Sequence, residues 1–441
     1  MKKTVVSVGL VALSVASVRA DYGTGLSGMV IPQNPWSVSA TLRGFYDDNI
    51  NGAASGPAKV GSFGIEVSPS LGMNWAFNQT LLNLDYTFSL KDYEKTPAGN
   101  AESYDMTHTF DVALDHAFNE RYHLTVSDSF VIGQEPDVLR TGNAPLSVFQ
   151  RLPGDNIANY GNILLNIQVT RLFGVELGYA NTFIDYSQHG AVILSDGTLG
   201  VPIGGGNYVP GPSYSGTLDR IEQTMHVDGH WQVQRQTIAV VGYQFSMADY
   251  TGNEPIWADP LIMSDARNSR THYGYVGVDQ TFNADLSASV RAGARYTDFY
   301  NDPSGENDLS PYALLSLRYV YAIESYVEAG FTYDRSATDR VSFNNGSVTD
   351  EAESAVLYAT LVHRITPKLY GTLTGAFQNS TYLGGGLANE SDRYFQVGVN
   401  LEYRINPHFS ADVGYNFDKL DSDIGRSYDR DRVYLGVTAK Y

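Results

Sequence analysis

An alternation of short and long connections between amphipathic strands constrains the fold of this 441-residue chain more than any other feature. In Thr80–Tyr93, for example, apolar positions from Leu82 to Leu90 alternate with polar positions from Asn83 to Lys91. Successive side chains of a strand point to opposite faces, so each such segment has one apolar and one polar face. Eight short turns and nine long polar loops connect these segments, which predicts eighteen strands.

This pattern predicts an all-β fold, a transmembrane antiparallel up-and-down β-barrel of about 18 strands. Short turns at one end and long loops at the other are typical of bacterial barrels, whose short turns face the periplasm. An even strand number puts both chain termini at the short-turn end. One hairpin is ambiguous, which leaves 16 strands as the alternative. A secreted all-β protein is the alternative to a membrane barrel.

The clearest hairpin is Arg393–Lys419, with a tight turn at Asn406-Pro407. Proline fixes φ and cannot donate to a strand ladder, so the chain reverses there. The apolar row of each strand begins and ends with an aromatic residue. Aromatic residues at both interfaces are typical of strands that face lipid. We therefore expect the apolar rows to face the membrane and the polar rows to face the lumen.

The N-terminus has the pattern of a secretory signal peptide: a basic start, an apolar run and a small-residue cleavage site ending at Ala20. We divide the chain into a signal peptide (1–20), a short periplasmic leader (21–35) and an outer-membrane β-barrel (36–441). This division predicts Sec export to the outer membrane of a Gram-negative cell.

Composition excludes several function classes. Removal of the signal peptide takes away three basic residues and no acid, which changes the formal net charge from −19 to −22. A nucleic-acid partner needs a basic face, so we expect none. The chain has no Cys, which excludes disulfides and thiol chemistry. After the signal peptide, no run approaches the roughly 20 apolar residues of a membrane helix.

Charged residues on the polar faces are the candidates for a pore lining. They are costly facing lipid and tolerated facing a wet lumen, and an 18-stranded barrel leaves an aqueous channel unless something fills it. Arg291 and Arg295 share one strand face and predict a basic constriction. The alternative is that the charges pair across strands and line a largely closed lumen. The predicted pore-lining residues are Arg291, Arg295, Arg318, Glu222, Asp228, Glu402, Arg404 and Asp412.

Two long loops are candidates for a constriction. Ser187–Ser215 contains three consecutive glycines and three prolines and either folds inward or stays outside the barrel. Gln134–Asn156 is the second candidate, because Arg140 and Arg151 would project into the mouth.

Metal, cofactor and catalytic sites are not expected. His226, Asp228 and His230 alternate on one strand face, but residues i and i+4 of a strand lie roughly 13 Å apart, too far for one ion. The acidic loops lack the spacing of a calcium loop. A nucleophile needs a base within reach, and only Ser187 with His189 comes near that arrangement.

Several stretches resemble the β-barrel porin 2 family. They are Phe45-Tyr46-Asp47-Asp48-Asn49-Ile50-Asn51, Val67-Ser68-Pro69-Ser70-Leu71-Gly72, Leu84-Asp85-Tyr86 through Lys91-Asp92-Tyr93, and the closing Tyr428-Asp429-Arg430-Asp431-Arg432-Val433-Tyr434-Leu435-Gly436-Val437. The resemblance implies an outer-membrane barrel, often linked with exopolysaccharide production or export. It implies no catalytic residues.

We therefore expect a porin-like channel for passive diffusion of small hydrophilic solutes, including oligosaccharide or exopolysaccharide-related ones. The alternatives are a non-conducting structural or export component of an exopolysaccharide assembly and, less favoured, a barrel hydrolase. Expected partners are outer-membrane lipid, lipopolysaccharide and a polysaccharide. The barrel-assembly machinery is a further expected partner, because the last strand, Tyr428–Tyr441, alternates and ends on an aromatic residue.

Overall fold

A computed structural model describes residues 35–54, 56, 59–96, 103–133, 154–204, 206–302 and 307–441. Eighteen antiparallel strands form one closed sheet in this part of the chain. The prediction of an 18-stranded barrel is therefore confirmed, and the alternative of 16 strands is wrong. The predicted signal peptide, all of the leader except its last residue, and the loop positions Arg140 and Arg151 lie outside the described residues.

The barrel strands are numbered β1 to β18 in chain order. Their bounds are β1 Trp36–Asp47, β2 Ser62–Ala76, β3 Thr80–Tyr93, β4 Tyr104–Asn119, β5 Tyr122–Gly133, β6 Asn156–Gln168, β7 Phe173–Tyr186, β8 Arg220–Gln234, β9 Thr237–Tyr250, β10 Ser269–Thr281, β11 Leu286–Asp298, β12 Asn307–Ala322, β13 Ser325–Ala337, β14 Glu351–Arg364, β15 Leu369–Leu383, β16 Ser391–Asn406, β17 Phe409–Ser422 and β18 Tyr428–Lys440.

Each strand pairs with the next in sequence, and β1 pairs with β18 to close the barrel. At the closure Leu42 lies opposite Val437, and Arg43 lies opposite Gly436. Closure leaves no strand edge, so every ladder group finds a partner without water. This property allows a sheet to cross a bilayer.

The outward face of the barrel is apolar. Leu42, Ile65, Val241, Val276 and Leu435 are each 57% exposed or more, which no soluble core would permit. Aromatic side chains lie at the short-turn end of this face, as in a membrane-interface girdle. They include Trp36, Trp75, Phe118, Phe173, Trp231, Tyr319, Tyr403, Phe409 and Tyr441.

The short turns are held by side chains of their own residues. At the β16–β17 turn, Asn406 Oδ1 accepts the backbone N–H groups of His408 (2.8 Å) and Phe409 (2.9 Å). Asn283 does the same for Asp285 and Leu286 at the β10–β11 turn. Asn favours such turns because its side chain mimics a backbone acceptor.

The opposite end carries the long loops, which contain their own secondary structure. Strands Val192–Ile193, Leu199–Gly204 and Asn207–Pro210 form a small sheet, and helix α1 spans Tyr214–Leu218. The remaining loop elements are the strand pairs Pro255–Trp257 with Ile262–Met263 and Phe343–Asn344 with Ser347–Val348, and the 3-10 helices Ser264–Arg267 and Gly385–Leu387. Among the described residues, no helix has the length and apolarity needed to span a membrane.

Candidate functional site

The eight predicted pore-lining residues all lie on the inward face of the barrel. On β11, Arg291 and Arg295 alternate with the exposed outward residues Val290 and Tyr296. Residues that pair directly across two strands point to the same face of the sheet. Glu402 lies opposite Asp412, so both point inward. Whether these residues line an open pore stays a prediction.

Arg291 is bound by one carboxylate. Its Nη1 and Nη2 donate to the two oxygens of Asp279 at 2.7 and 3.0 Å, and Ser289 donates to the same carboxylate at 2.7 Å. Beside this group, the hydroxyl of Tyr275 donates to Asp228 at 2.5 Å. The Arg291 guanidinium is thus neutralised within the wall by a bidentate ion pair.

Arg295 lies deeper in the wall, with only 2% of its surface exposed. It donates to Thr297 Oγ1 at 2.7 Å and to Asp334 at 3.4 Å, and it also binds Glu351 and the carbonyl oxygen of Arg335. Two acids therefore neutralise one buried cation. This pairing matches the alternative of cross-strand ion pairs, while the basic constriction itself stays untested.

Other inward charges also meet across strands. Arg43 donates to Glu66 at 3.1 Å and to Asp412 at 3.0 Å, and its guanidinium lies 4.5 Å from the ring centre of Tyr434. This residue therefore ties β1 to β2 and β17. Arg404 stacks 3.6 Å over the Tyr370 ring.

Four of the predicted residues form local pairs. Arg404 lies 3.4 Å from Glu402 on the same strand, and Arg318 binds Glu328 on the next strand. Glu222 accepts a hydrogen bond from Arg220 Nε at 2.6 Å. Every predicted arginine thus has a carboxylate partner.

The wall around β3 and β4 differs, because it is acidic and open. Asp85 faces Asp111 directly across the strand pair, and Asp85 is exposed although it points inward. Among the described residues, no ion pair holds either carboxylate. Asp115, further along β4, binds His123 at 2.8 Å. The Asp85 carboxylate therefore borders space inside the barrel that the side chains of the described residues leave unfilled.

The sequence prediction missed Asp279, the partner of Arg291, and Glu351, the partner of Arg295. The alternation on β10 could have predicted that Asp279 points inward, because Asp279 lies on the same strand face as Tyr273 and Tyr275. Glu351 is the first residue of β14. The preceding loop is also polar, so the sequence does not show where the strand begins.

A buried arginine joins three loops into a cap over the outer end of β8–β14. Arg267 is 1% exposed, and its Nη1 donates to the carbonyl of Thr217 at 2.8 Å. Its Nη2 donates to the carbonyls of Thr338 and Asp350 at 2.6 and 3.3 Å. Its guanidinium lies 4.5 Å from the ring centre of Tyr250 at the end of β9. The loop cap comprises residues 187–219, 251–268 and 338–350.

One part of the loop Ser187–Ser215 stays outside the barrel, and another part folds inward. Its tip is outside, with Val192 and Ile203 exposed. Its end leads into α1, where the fully buried Leu218 packs against the inward-facing Ala158, Ile184 and Tyr186. The C-terminal side of this segment therefore enters the barrel mouth.

Glu254 anchors this segment to the next loop. It accepts hydrogen bonds from the backbone N–H groups of Gly190 (2.6 Å) and Ala191 (3.0 Å) and from the hydroxyl of Ser213 (2.5 Å). One carboxylate thus fixes both ends of the exposed tip.

Asp219, between α1 and β8, is a carboxyl group of the cap with a raised pKa. Burial raises the pKa of Asp219 to about 6, and the nearby Asp185 adds to this rise. Hydrogen bonds from the Ser215 hydroxyl (2.5 Å) and the Tyr186 N–H (2.7 Å) oppose it. Desolvation therefore outweighs hydrogen bonding at this carboxyl.

The metal and hydrolase candidates do not assemble. His226 Nε2 lies 3.3 Å from Glu176, whereas Asp228 binds Tyr275. His189 Nδ1 donates to the backbone carbonyl of Ser187 at 2.7 Å, and the Ser187 hydroxyl donates to the carbonyl of Asp155. The hydroxyl and imidazole thus have separate partners.

One acidic group at the outer rim has ligand-like spacing. Carboxylate oxygens of Asp48, Asp429 and Asp431 lie within 4.8 Å of one another. The ammonium group of Lys59 stands 2.7 Å from Asp48 and 2.8 Å from Asp429. A protein cation therefore already binds two of the three carboxylates.

The C-terminal part of the chain matches a known protein family. A family model described as "Putative beta-barrel porin 2" matches residues 345–441, and no curated protein sequence matches the chain. The outer-membrane protein OpdK of Pseudomonas aeruginosa is 9% identical over 92% of this chain and 99% of its own, with a TM-score of 0.44.

Two structures from Acinetobacter baumannii are similar at the same level. The siderophore receptor PiuA is 10% identical over 94% of this chain and 82% of its own, with a TM-score of 0.47. OccAB4 is 11% identical over 93% and 99%, with a TM-score of 0.43. The chain is thus a closed 18-stranded antiparallel β-barrel whose residues 345–441 match the model of the β-barrel porin 2 family.

Proposed function

We propose that this protein is a porin-like channel that lets small hydrophilic solutes diffuse passively across the outer membrane and prefers cations. The observation that carries the proposal is Asp85, an inward-facing carboxylate in the middle of β3 that is exposed to solvent. A side chain that points into a closed barrel and still meets water borders an aqueous space.

The cation preference follows from the neutralisation of the inward charges. The arginines of β11 are bound by Asp279, Asp334 and Glu351, so they add little net positive field. Among the described residues, no salt bridge holds Asp85 or Asp111, and Lys440 attracts Asp85 only from beyond salt-bridge distance. Uncompensated carboxylates on a pore wall attract cations and repel anions.

The loop cap sets the size of the solute. It covers the outer end above β8–β14, whereas the exposed carboxylate lies on β3, across the barrel from β11 in the strand order. On the β8–β14 side of the mouth, the cap would therefore admit small ions and small sugars rather than polymers.

The test is conductance of the purified protein in a planar bilayer. We expect stepwise openings in salt and a reversal potential that indicates cation selectivity. Arg291→Ala frees Asp279 and should increase the preference for cations, whereas Asp85→Asn should decrease it. Arg393→Ala, at a side chain that is 52% exposed on the outward face, is the matched control. Silence where a known porin opens would refute the channel.

The second candidate is a non-conducting structural or export component of an exopolysaccharide assembly. The interlocked cap and the buried Arg295 favour it, because both fill the outer half of one wall. A protein that is silent in bilayers, and whose deletion lowers secreted exopolysaccharide, would establish this role. The neighbouring genes give an independent check.

Targeting and partners belong to the same proposal. Sec export to a Gram-negative outer membrane, assembly through β18 and contact with lipopolysaccharide follow from the sequence pattern. The pairing of Val38 with Tyr441 supports a role for the terminal residue in closure, with backbone hydrogen bonds of 3.1 and 2.8 Å. The proposed function includes no catalytic step.

A further inference from the structure

A band of uncharged side chains crosses the inward face of four neighbouring strands. Tyr358 on β14, Thr374 on β15, Asn400 on β16 and Asn416 on β17 stand five to seven residues from the short-turn ends of their strands, and therefore at similar depth. Neighbouring strands are about 4.8 Å apart, so the band spans roughly 14 Å. These four residues are called the uncharged wall. They alternate with the exposed outward residues Leu357, Leu373, Leu401 and Tyr415.

The barrel is filled directly above this wall. Val356, Gln378 and Gln396 also point inward, two to four residues nearer the outer ends of their strands, and each is at most 4% exposed. The four residues of the uncharged wall are partly exposed. The uncharged wall therefore borders space that the side chains of the described residues leave unfilled, beneath a packed outer region.

The ring of Tyr358 presents one face to this space. Tyr358 lies opposite Gly330 of β13, and a Cβ atom on Gly330 would overlap the Cζ atom and the hydroxyl oxygen of Tyr358. The ring therefore lies over the backbone of β13, which only a glycine at this position allows. The ring face turned away from β13 borders the lumen. An aromatic face carries partial negative charge and attracts the positive ends of C–H bonds.

The amides of the uncharged wall have hydrogen-bonding capacity left. Asn400 Oδ1 accepts a hydrogen bond from the Tyr434 hydroxyl at 3.4 Å. Within the described part of the chain, no acceptor lies within hydrogen-bond distance of the side-chain nitrogens of Asn400 and Asn416 or of the Tyr358 hydroxyl. Amide and hydroxyl groups offer both donors and acceptors. They therefore match a solute whose own groups are hydroxyls.

The charges beside the uncharged wall are paired. On β16, Glu402 lies 3.4 Å from Arg404, and on β17, Asp418 binds Arg432 at 3.1 Å. A charged solute would have to compete with these ion pairs, whereas Asp85 on the opposite side of the barrel has no salt bridge among the described residues. The wall therefore favours a neutral solute over an ion.

We propose that the uncharged wall binds neutral oligosaccharides. A sugar ring stacks through its C–H groups on the lumen face of Tyr358, and its hydroxyls exchange hydrogen bonds with Thr374, Asn400 and Asn416. A wholly apolar solute would leave these amides unpaired, at a cost in free energy. The inference rests on the proposed function, because it names a solute class for the same lumen.

Equilibrium binding to the purified, folded full chain tests the wall without requiring conductance. The probes are maltotriose and cellotriose, two neutral trisaccharides, together with trigalacturonate, an anionic trisaccharide of the same length. Ligand-observed NMR in detergent micelles measures the affinities. We expect saturable binding of at least one neutral trisaccharide and about tenfold weaker binding of trigalacturonate.

Substitutions separate the ring from the amides. Tyr358→Ala should weaken binding of the neutral trisaccharide about tenfold, whereas Tyr358→Phe keeps the ring and should stay within about twofold of the unchanged chain. Asn416→Leu removes an amide at similar volume and should weaken binding about fivefold. Tyr296→Ala, at an outward tyrosine that is 41% exposed, is the matched control and should change nothing. Heat-modifiable gel migration shows that each variant is folded.

The outcomes distinguish this site from the channel. Binding of neither neutral trisaccharide, equal binding of trigalacturonate, or an affinity that Tyr358→Ala and Asn416→Leu leave unchanged would overturn the proposal. A barrel that is silent in bilayers but binds a neutral trisaccharide through Tyr358 refutes diffusion and supports the site. A conducting barrel that binds neither neutral trisaccharide supports the channel and overturns the site.

Discussion

At the residue scale, two arginines with the same strand, face and chemistry have different surroundings. Arg291 is held by Asp279 on the neighbouring strand. Arg295 lies four residues further toward the outer end of β11. It is buried with Asp334 and Glu351 under the loop cap. The acids are buried at both sites, whereas the side chain of Arg291 is 11% exposed and that of Arg295 is 2% exposed. Arg295 also has two acids as partners, so its removal leaves two buried carboxylates uncompensated.

Arg295→Ala should therefore destabilise the barrel strongly. Loss of one partner from a buried ion pair typically costs about 3–5 kcal/mol, because an uncompensated charge stays behind. The measurement is the free energy of unfolding in urea, followed by heat-modifiable gel migration in lipid vesicles.

The control is Arg393→Ala. Its ion pair with Asp421 is 3.7 Å long, with side chains 52% and 63% exposed, so its loss should cost less than about 1 kcal/mol. Similar costs for the two variants would contradict the account of Arg295 as a buried charge.

At the element scale, the outer loops pack against one another instead of extending separately into solvent. Arg267 joins three of them, and Arg426 fastens a fourth by binding Asp339 (2.5 Å) and Asp392 (2.5 Å). A cluster of Ile256, Ile262, Ala266 and Val348 lies between them. Loops with an apolar cluster and buried polar anchors act as a lid on the β8–β14 wall.

Arg267→Ala should open this lid. The substitution leaves three carbonyl groups without their donor, each at a cost of about 1–3 kcal/mol if it stays buried. We expect faster proteolysis within residues 251–268 and 338–350, together with a larger single-channel conductance. Arg270→Ala, three residues away and exposed over the Tyr300 ring, should change neither quantity. A cap that resists protease as before would show that Arg267 does not hold it.

The cap should also be pH-dependent through Asp219. Its pKa is raised to about 6 from 3.8, so the packed loop keeps a proton that the unpacked loop loses. Protonation thus favours packing below the raised pKa, and packing weakens as pH rises from about 4 to 6.

Hydrogen exchange of residues 211–219, corrected for the intrinsic effect of pH, should therefore be slower at pH 5 than at pH 7.5. Asp219→Asn cannot titrate and should remove this difference. A pH dependence that persists in Asp219→Asn would assign the effect to another group.

At the scale of the whole molecule, closure of the sheet and the apolar outward face make one membrane-spanning body. The β1–β18 pairing joins the two ends of the barrel, which lie about 400 residues apart in sequence. Closure therefore depends on the last strand, and the outward face must match lipid on every strand.

Leu435→Arg tests the lipid contact of the whole barrel. Leu435 is 65% exposed on the outward face of β18, and a cation at the bilayer midplane costs about 2–4 kcal/mol. Ile323→Arg is the matched control, because Ile323 is 79% exposed in a short turn, where the cost is about 0–1 kcal/mol. Unfolding from vesicles should separate the two variants. Equal stability would argue against a membrane position for β18.

The sequence by itself determined the barrel, its strand number, its inward and outward faces and the end at which the short turns lie. These features are local, because period-two alternation, turn residues and loop lengths depend only on residues that are close in sequence. The turn at Asn406, for example, is predicted by its own residues.

Only the tertiary structure decided which inward charges are neutralised and where the loops pack. Arg43 meets Asp412, 369 residues further along the chain, and Arg267 meets carbonyls from two other loops. Such contacts depend on register and closure, which bring distant positions together. Alternation assigns each residue to a face, whereas its partner is set by the strand or loop that closure places beside it.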